Sequence, residues 1–255
     1  MDRRTFIGAA AGVGLAGISG CVASAQARPP EVPESRLEKG GWKLAREQQR
    51  KVFEREYAGQ KLTATATTEI YGDAAFRKQL AEKTLGQITE APASFFASRV
   101  TFDPDITSLP AGIGRESIID EIESQSRQQL KDQMKNAGVE QISQSDAGSF
   151  QVQTGEDARQ TNFEGVLKFG PIEFPVDDDR TVKIKADEIT IKGHLGVWHH
   201  GDSVLVAGGA YPGENYARKV SRDVSSAVEV TVDIDLGLTP KKYRDELFGL
   251  MTRVE

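Results

Sequence analysis

The chain has 255 residues, 38% of them hydrophobic and 27% charged, a balance that can bury one sizeable core and that argues against global disorder. Its net charge of −6 becomes −7 when residues 1–20, which hold one acid and two bases, are set aside; nucleic acid is a poor partner for such a surface. Cys21 is the only cysteine, so the body after it can form neither a disulfide nor a thiolate metal site and must be stabilised by packing.

Residues 1–20 have the order of a secretory signal: a short charged start with Arg3 and Arg4, an apolar run from Phe6 to Ile18, and small residues before a cysteine. Arg3-Arg4 followed by Thr5 and Phe6 resembles the twin-arginine export motif, which a receptor reads as an address. The run IGAAAGVGLAGISG is only mildly apolar, which suits a route for folded cargo; Sec-dependent export is the alternative. It is too short and glycine-rich for a spanning helix, which needs roughly 20 strongly apolar residues. Ile18-Ser19-Gly20-Cys21 resembles a lipobox, and that resemblance implies lipid attachment to Cys21 and a protein held on the outer face of the cell membrane. Ordinary signal peptidase cleavage after Ala25 or Ala27, each closing a small-x-small triplet, would instead release a soluble form.

Residues 21–41 contain Pro29, Pro30 and Pro33 and almost no large apolar side chain, so they read as a lipidated stalk, with a single domain over 42–255. Two extended runs, 42–57 and 61–71, flank Ala58-Gly59-Gln60 and predict a β-hairpin. Asp73 caps a helix over 74–88, with Phe76, Leu80, Thr84 and Ile88 on one face. FFASRVTF, residues 95–102, is a strongly apolar strand suited to the middle of a sheet. The clearest helix covers 115–137, where Ile118, Ile119, Ile122, Leu130 and Met134 form a stripe and Gly138 supplies the stop.

Short strands follow at 139–144, 150–154, 162–169, 181–185, 189–191 and 195–199, and His200-Gly201-Asp202 turns the chain into SVLVAGGAY, making 197–210 a hairpin. Residues 214–226 look helical, 228–236 look extended, and Thr239-Pro240 opens a final helix. Consecutive strands with few helices predict an α+β fold, an antiparallel sheet covered by helices. Hairpin, strand, long helix and meander over residues 42–216 resemble the PsbP-like sandwich in architecture. The segments RRTFIG, ISGC, FFASRVTFDP, VWHHGDSVLVAGGAYP and VTVDIDLGLTP resemble exported lipoproteins of halophilic archaea, which implies a surface-attached domain without an assigned activity.

No motif for catalysis, metal or cofactor stands above its ordinary structural explanation, so no catalytic, metal or cofactor-binding residue is expected. The three histidines are His194, His199 and His200; the last two are adjacent and in a strand point to opposite faces, which hinders joint metal binding. Asp202 lies near enough in sequence for a His/Asp pairing, but no serine sits in a GxSxG elbow. Asp177-Asp178-Asp179 lacks the alternation and closing glutamate of a calcium loop and reads as a solvated turn. Asp233 and Asp235 alternate with apolar residues as in a half-buried strand, and Gly208-Gly209 lacks the lysine of a phosphate loop and suits close packing. Trp42, Trp198, Tyr211 and Tyr216 suit core or hairpin packing better than a ligand surface. The expectation is a lipid-anchored, noncatalytic module that binds a protein or small molecule through its sheet or through loops around His199, His200, Asp202 and Tyr211. An exported hydrolase using His199 or His200 with nearby carboxylates is the alternative.

Overall fold

The computed structural model describes residues 28–57, 60–88, 93–105, 115–176, 180–225 and 228–255. The expected signal, Arg3, Arg4, Phe6, the lipobox Ile18-Ser19-Gly20, Cys21 and the Asp177-Asp178-Asp179 run all lie outside them.

Seven antiparallel strands form the main sheet. The hairpin of β1 (Trp42–Tyr57) and β2 (Gln60–Asp73) continues into β3 (Ser94–Asp103), and β9 (Ser203–Pro212), β8 (Asp187–His200), β5 (Asp157–Phe169) and β4 (Val139–Gln151) complete the order β1-β2-β3-β9-β8-β5-β4. Its middle strand, β9, is buried at every position, as a strand covered on both faces must be. Helix α3 (Arg115–Asn136) carries the chain from β3 to the far edge at β4 and lies on one face, where Ile118, Ile122, Leu130 and Met134 are almost wholly buried. Beyond its end, Gly138 takes φ +83°, which a glycine adopts without strain. Arg159 on β5 ties this helix to the sheet through Glu116, Asp120 at 2.6 Å and Glu123 at 3.3 Å.

The opposite face carries α4 (Pro240–Met251), beside which pack α1 (Glu34–Gly40) and α2 (Ala74–Lys83). Asp73 caps α2 by accepting the Phe76 amide at 2.8 Å, and Phe76 meets Tyr243 of α4 at 5.1 Å between ring centroids. Backbone approaches here leave no space for a side chain at two glycines. A Cβ on Gly209 would lie 2.1 Å from the Ser94 carbonyl oxygen and 2.8 Å from Leu247 of α4, and one on Gly196 would lie 2.6 Å from the Phe150 ring. At Gly209 the obstacle is backbone and at Gly196 a ring, so both glycines permit close packing, as expected for the Gly208-Gly209 pair.

Two small ribbons extend the meander: β6 (Ile172–Pro175) with β7 (Thr181–Ile184), and β10 (Ala217–Ser225) with β11 (Val228–Asp235). The α+β expectation holds as a mixed fold dominated by an antiparallel sheet with helices on both faces. Several boundaries differ. The short strands expected at 139–144 and 150–154 fall in one strand, β4, which ends at Gln151, and those at 189–191 and 195–199 merge in β8, because pairing with β5 and β9 carries the ladder through the glycines and polar residues that suggested breaks. The helix expected to reach residue 88 ends at Lys83. Residues 214–226, expected to be helical, contain β10: Val220 pairs with Val232, and the Ser221 and Thr231 hydroxyls meet at 2.7 Å, so a partner strand overrides the local pattern.

The stalk expected over 21–41 is corrected in its second half. Pro30 is buried, Glu31 and Glu255 exchange backbone hydrogen bonds, and α1 buries Leu37. The short helix escapes a composition argument because one leucine is enough to dock it.

Candidate functional site

Gln49, Thr67, Arg99, Leu205 and Trp198 are register partners in one row across β1, β2, β3, β9 and β8. Direct partners share a face, and in β3 Arg99 lies on the same side as Phe95, the partner of Gly209, so the row belongs to the α4 face. Past α4 this face holds a cleft of about 870 Å3. Thr67, Arg99 and Thr101 line its floor, the segment Arg28-Pro29 one wall, and the exposed carboxylates of Glu47, Asp103, Asp105 and Asp202 its rim.

Arg99 is the distinctive group. It is half-buried, its Nη1 donates to the Ser203 hydroxyl at a long 3.5 Å, and its buried Nε has no hydrogen-bond partner. Among the described residues no carboxylate pairs with it, despite four at the rim. A guanidinium taken partly out of water without a counter-charge is costly unless something occupies its fork. Ser203 is held in turn, donating to the His200 carbonyl oxygen at 2.9 Å.

The three histidines go to three different places. His200 sits beside Glu156, with Nδ1 2.7 Å from Oε1, and the Ser203 hydroxyl is committed to the His200 main chain instead of its ring. The Thr154 and His200 hydrogen bonds hold the Glu156 carboxyl below its ordinary value against the opposing effect of burial. His199 points to the α3 face, as strand alternation requires, and its Nε2 is buried without a partner. His194 is buried between strands: Nδ1 lies 2.7 Å from Asn162 Oδ1 and Nε2 lies 3.0 Å from the Tyr211 hydroxyl. Burial, with the nearby charges of Arg244 and Lys192, lowers its pKa to about 4, so it is neutral at physiological pH. It donates from one nitrogen and accepts at the other.

A profile of the family described as Domain of unknown function (DUF6517) matches residues 29–255, which cover every element of the fold and all of the cleft lining except Arg28. The chain belongs to the DUF6517 family. The match begins at Pro29, in agreement with the burial of Pro30 and the pairing of Glu31, so the family's domain reaches the segment that walls the cleft. No curated protein matches the chain, and no solved structure does.

Of the residues singled out in the sequence, Asp202 lines the cleft, His200 stands behind it through Ser203, and His199 faces away. Tyr211 is corrected as a surface candidate: it is 3% exposed and belongs with His194 at another part of the sheet. Trp42, Trp198 and Tyr216 are likewise buried in the core. Sequence reasoning passed over Arg99. Its signal was a charged residue inside the apolar strand FFASRVTF, a position where an unpaired guanidinium calls for an explanation. Among the described residues there is no group of three or more His, Cys, Asp or Glu side chains placed to hold a metal ion.

Proposed function

We propose that this DUF6517 protein is exported and held on the outer face of the cell membrane by a lipid on Cys21, and that its domain is a noncatalytic binding module whose ligand sits in the cleft over Arg99. The Arg3-Arg4 start and the ISGC segment support the address. The observation that carries the activity is Arg99: a half-buried cation with no carboxylate partner among the described residues, on the floor of a cleft of about 870 Å3. That volume lies within the range of small-molecule sites. Support for binding over hydrolysis comes from the separation of the three histidines: among the described residues no serine hydroxyl donates to any of their rings, and the one histidine–carboxylate pair, His200 with Glu156 at 2.7 Å, lies outside the lining of the cleft.

The address also sets a distance. Arg28 follows Cys21 by seven residues, which span at most about 25 Å when fully extended. A lipid on Cys21 therefore keeps the cleft-bearing part of the domain close to the membrane surface. Fractionation of cells tests the anchor: the wild-type protein is expected in the membrane fraction and the Cys21→Ala protein in the soluble fraction. Equal partition of the two defeats the lipid anchor and leaves the cleft to be judged separately.

A further inference from the structure

We infer that the cleft over Arg99 selects small zwitterions, molecules carrying a carboxylate and an ammonium group a few ångströms apart, such as amino acids and short peptides. The inference rests on the binding-module reading above and adds the chemical class of the ligand.

Two features of the cleft pull in opposite directions, and only a ligand with both charges answers both. The floor offers the Arg99 guanidinium, whose Nη1 has a long contact to Ser203 and whose Nε is itself buried out of solvent without a partner, flanked by the Thr67 and Thr101 side chains. A planar cationic fork of this kind matches a carboxylate in two parallel hydrogen bonds. Among the described residues the rim holds the exposed carboxylates of Glu47, Asp103, Asp105 and Asp202, with Arg28 as the further cation in the lining. A plain anion approaching Arg99 must pass this excess of negative charge, and a plain cation drawn to the rim meets Arg99 beneath it. A zwitterion places its carboxylate on the floor and its ammonium at the rim, so each of its charges meets the opposite one.

The strand register fixes this polarity. Arg99 is held between Thr67 on β2 and Leu205 on β9, in the interior of the sheet, whereas Asp103 is at the end of β3 and Asp202 is in the turn between β8 and β9. The cation is therefore on a rigid floor and the acids on the margins. This arrangement sets the orientation of a bound ligand before it arrives.

Calorimetric titration of the purified full chain with three probes of similar size tests the inference: glycylglycine carries both charges, N-acetylglycine only the carboxylate and glycinamide only the ammonium. Glycylglycine is expected to bind at least tenfold more tightly than either of the others, to lose binding in Arg99→Gln, and to weaken severalfold in Asp202→Asn, an exposed turn substitution that leaves the core untouched. Equal binding of N-acetylglycine, or glycylglycine binding that neither variant changes, overturns it, as does the absence of glycylglycine binding. A parallel titration with a small-molecule extract separates the two levels of the argument. Extract components that are not zwitterionic but are lost in Arg99→Gln leave the cleft as the binding site and defeat only the ligand class; extract binding that is indifferent to both variants, or absent, defeats the cleft itself.

Discussion

His194 shows how one buried side chain sets a condition on stability. Its ring lies 4.8 Å from that of Phe248 and 5.6 Å from that of Tyr211, with both nitrogens engaged, and there is no carboxylate among its hydrogen-bond partners to welcome a proton. In the unfolded chain the imidazole titrates near 6.5, and in the native protein near 4. Between these values the unfolded state binds a proton that the folded state does not, so the stability from neutral His194 is complete above pH 6.5 and is lost as the pH falls through 4. The full loss amounts to roughly 3 kcal/mol, the difference between 6.5 and about 4 taken at about 1.4 kcal/mol for each pH unit. Urea unfolding of the wild type and of His194→Gln at pH 7 and pH 4.5 is expected to show a smaller fall in midpoint for the variant; parallel falls would remove His194 from the acid response. His194 is buried with its partners in place, whereas Arg99 is half-buried and, among the described residues, has one long contact, to Ser203.

At the scale of elements, β9 is the strand on which both faces depend. It lies between β3 and β8 and packs against α4 on one side and α3 on the other. Gly209 is where β3, β9 and α4 come closest, and the obstacle to a side chain there is the Ser94 carbonyl oxygen, which cannot swing aside as a flexible side chain can. Gly209→Ala is therefore expected to cost about 3 kcal/mol, at the upper end of overpacking changes. Thermal unfolding reads this out, and a change below 1 kcal/mol would mean that β3 and β9 can separate locally. The same dependence on neighbours accounts for β10. ARKVSRDVS places Val220 and Val224 four apart, a helical spacing, yet the register with β11 aligns Val220 with Val232 and Arg222 with Val230. Ribbon pairing supplies the backbone hydrogen bonds that a helix would otherwise have made internally.

For the molecule as a whole, the decisive fact is that residues 28–41 pack on the domain. Residues 28–33 run beside the C-terminus, with Glu31 and Glu255 paired through their backbones, and α1 then buries Leu37 and reaches Trp42. The Trp42 ring is packed against Phe95 at 6.3 Å, and a Cβ on Gly40 would come within 2.5 Å of that ring. A chain starting at Trp42 is expected to be less stable than one starting at Arg28 by ~2 kcal/mol or more, the value of one buried leucine with its surroundings. Denaturant unfolding of both forms decides it, and equal stability would return residues 28–41 to the role of a linker. The position of this segment also couples the two halves of the functional proposal. The wall of the cleft is the stretch of chain that leads back to Cys21.

Local chemistry alone determined much of this protein. Helical spacing of Ile118, Ile122, Leu130 and Met134, the cap at Asp73, the Thr239-Pro240 start and the runs around Phe95 and Val204 are each decided by the properties of neighbouring residues, and all are found where those properties put them. Tertiary structure decided the rest. Whether residues 217–225 curl or extend depends on an eight-residue partner strand, whether residues 34–40 are free or docked depends on the surface beneath Leu37, and the cleft joins β1, β2, β3 and the β8–β9 turn across gaps of up to about a hundred residues. A periodicity reports which faces of an element are apolar. It carries no record of which distant element will cover them, and Arg99 stands out only when the assembled sheet shows that none of the described carboxylates has come to meet it.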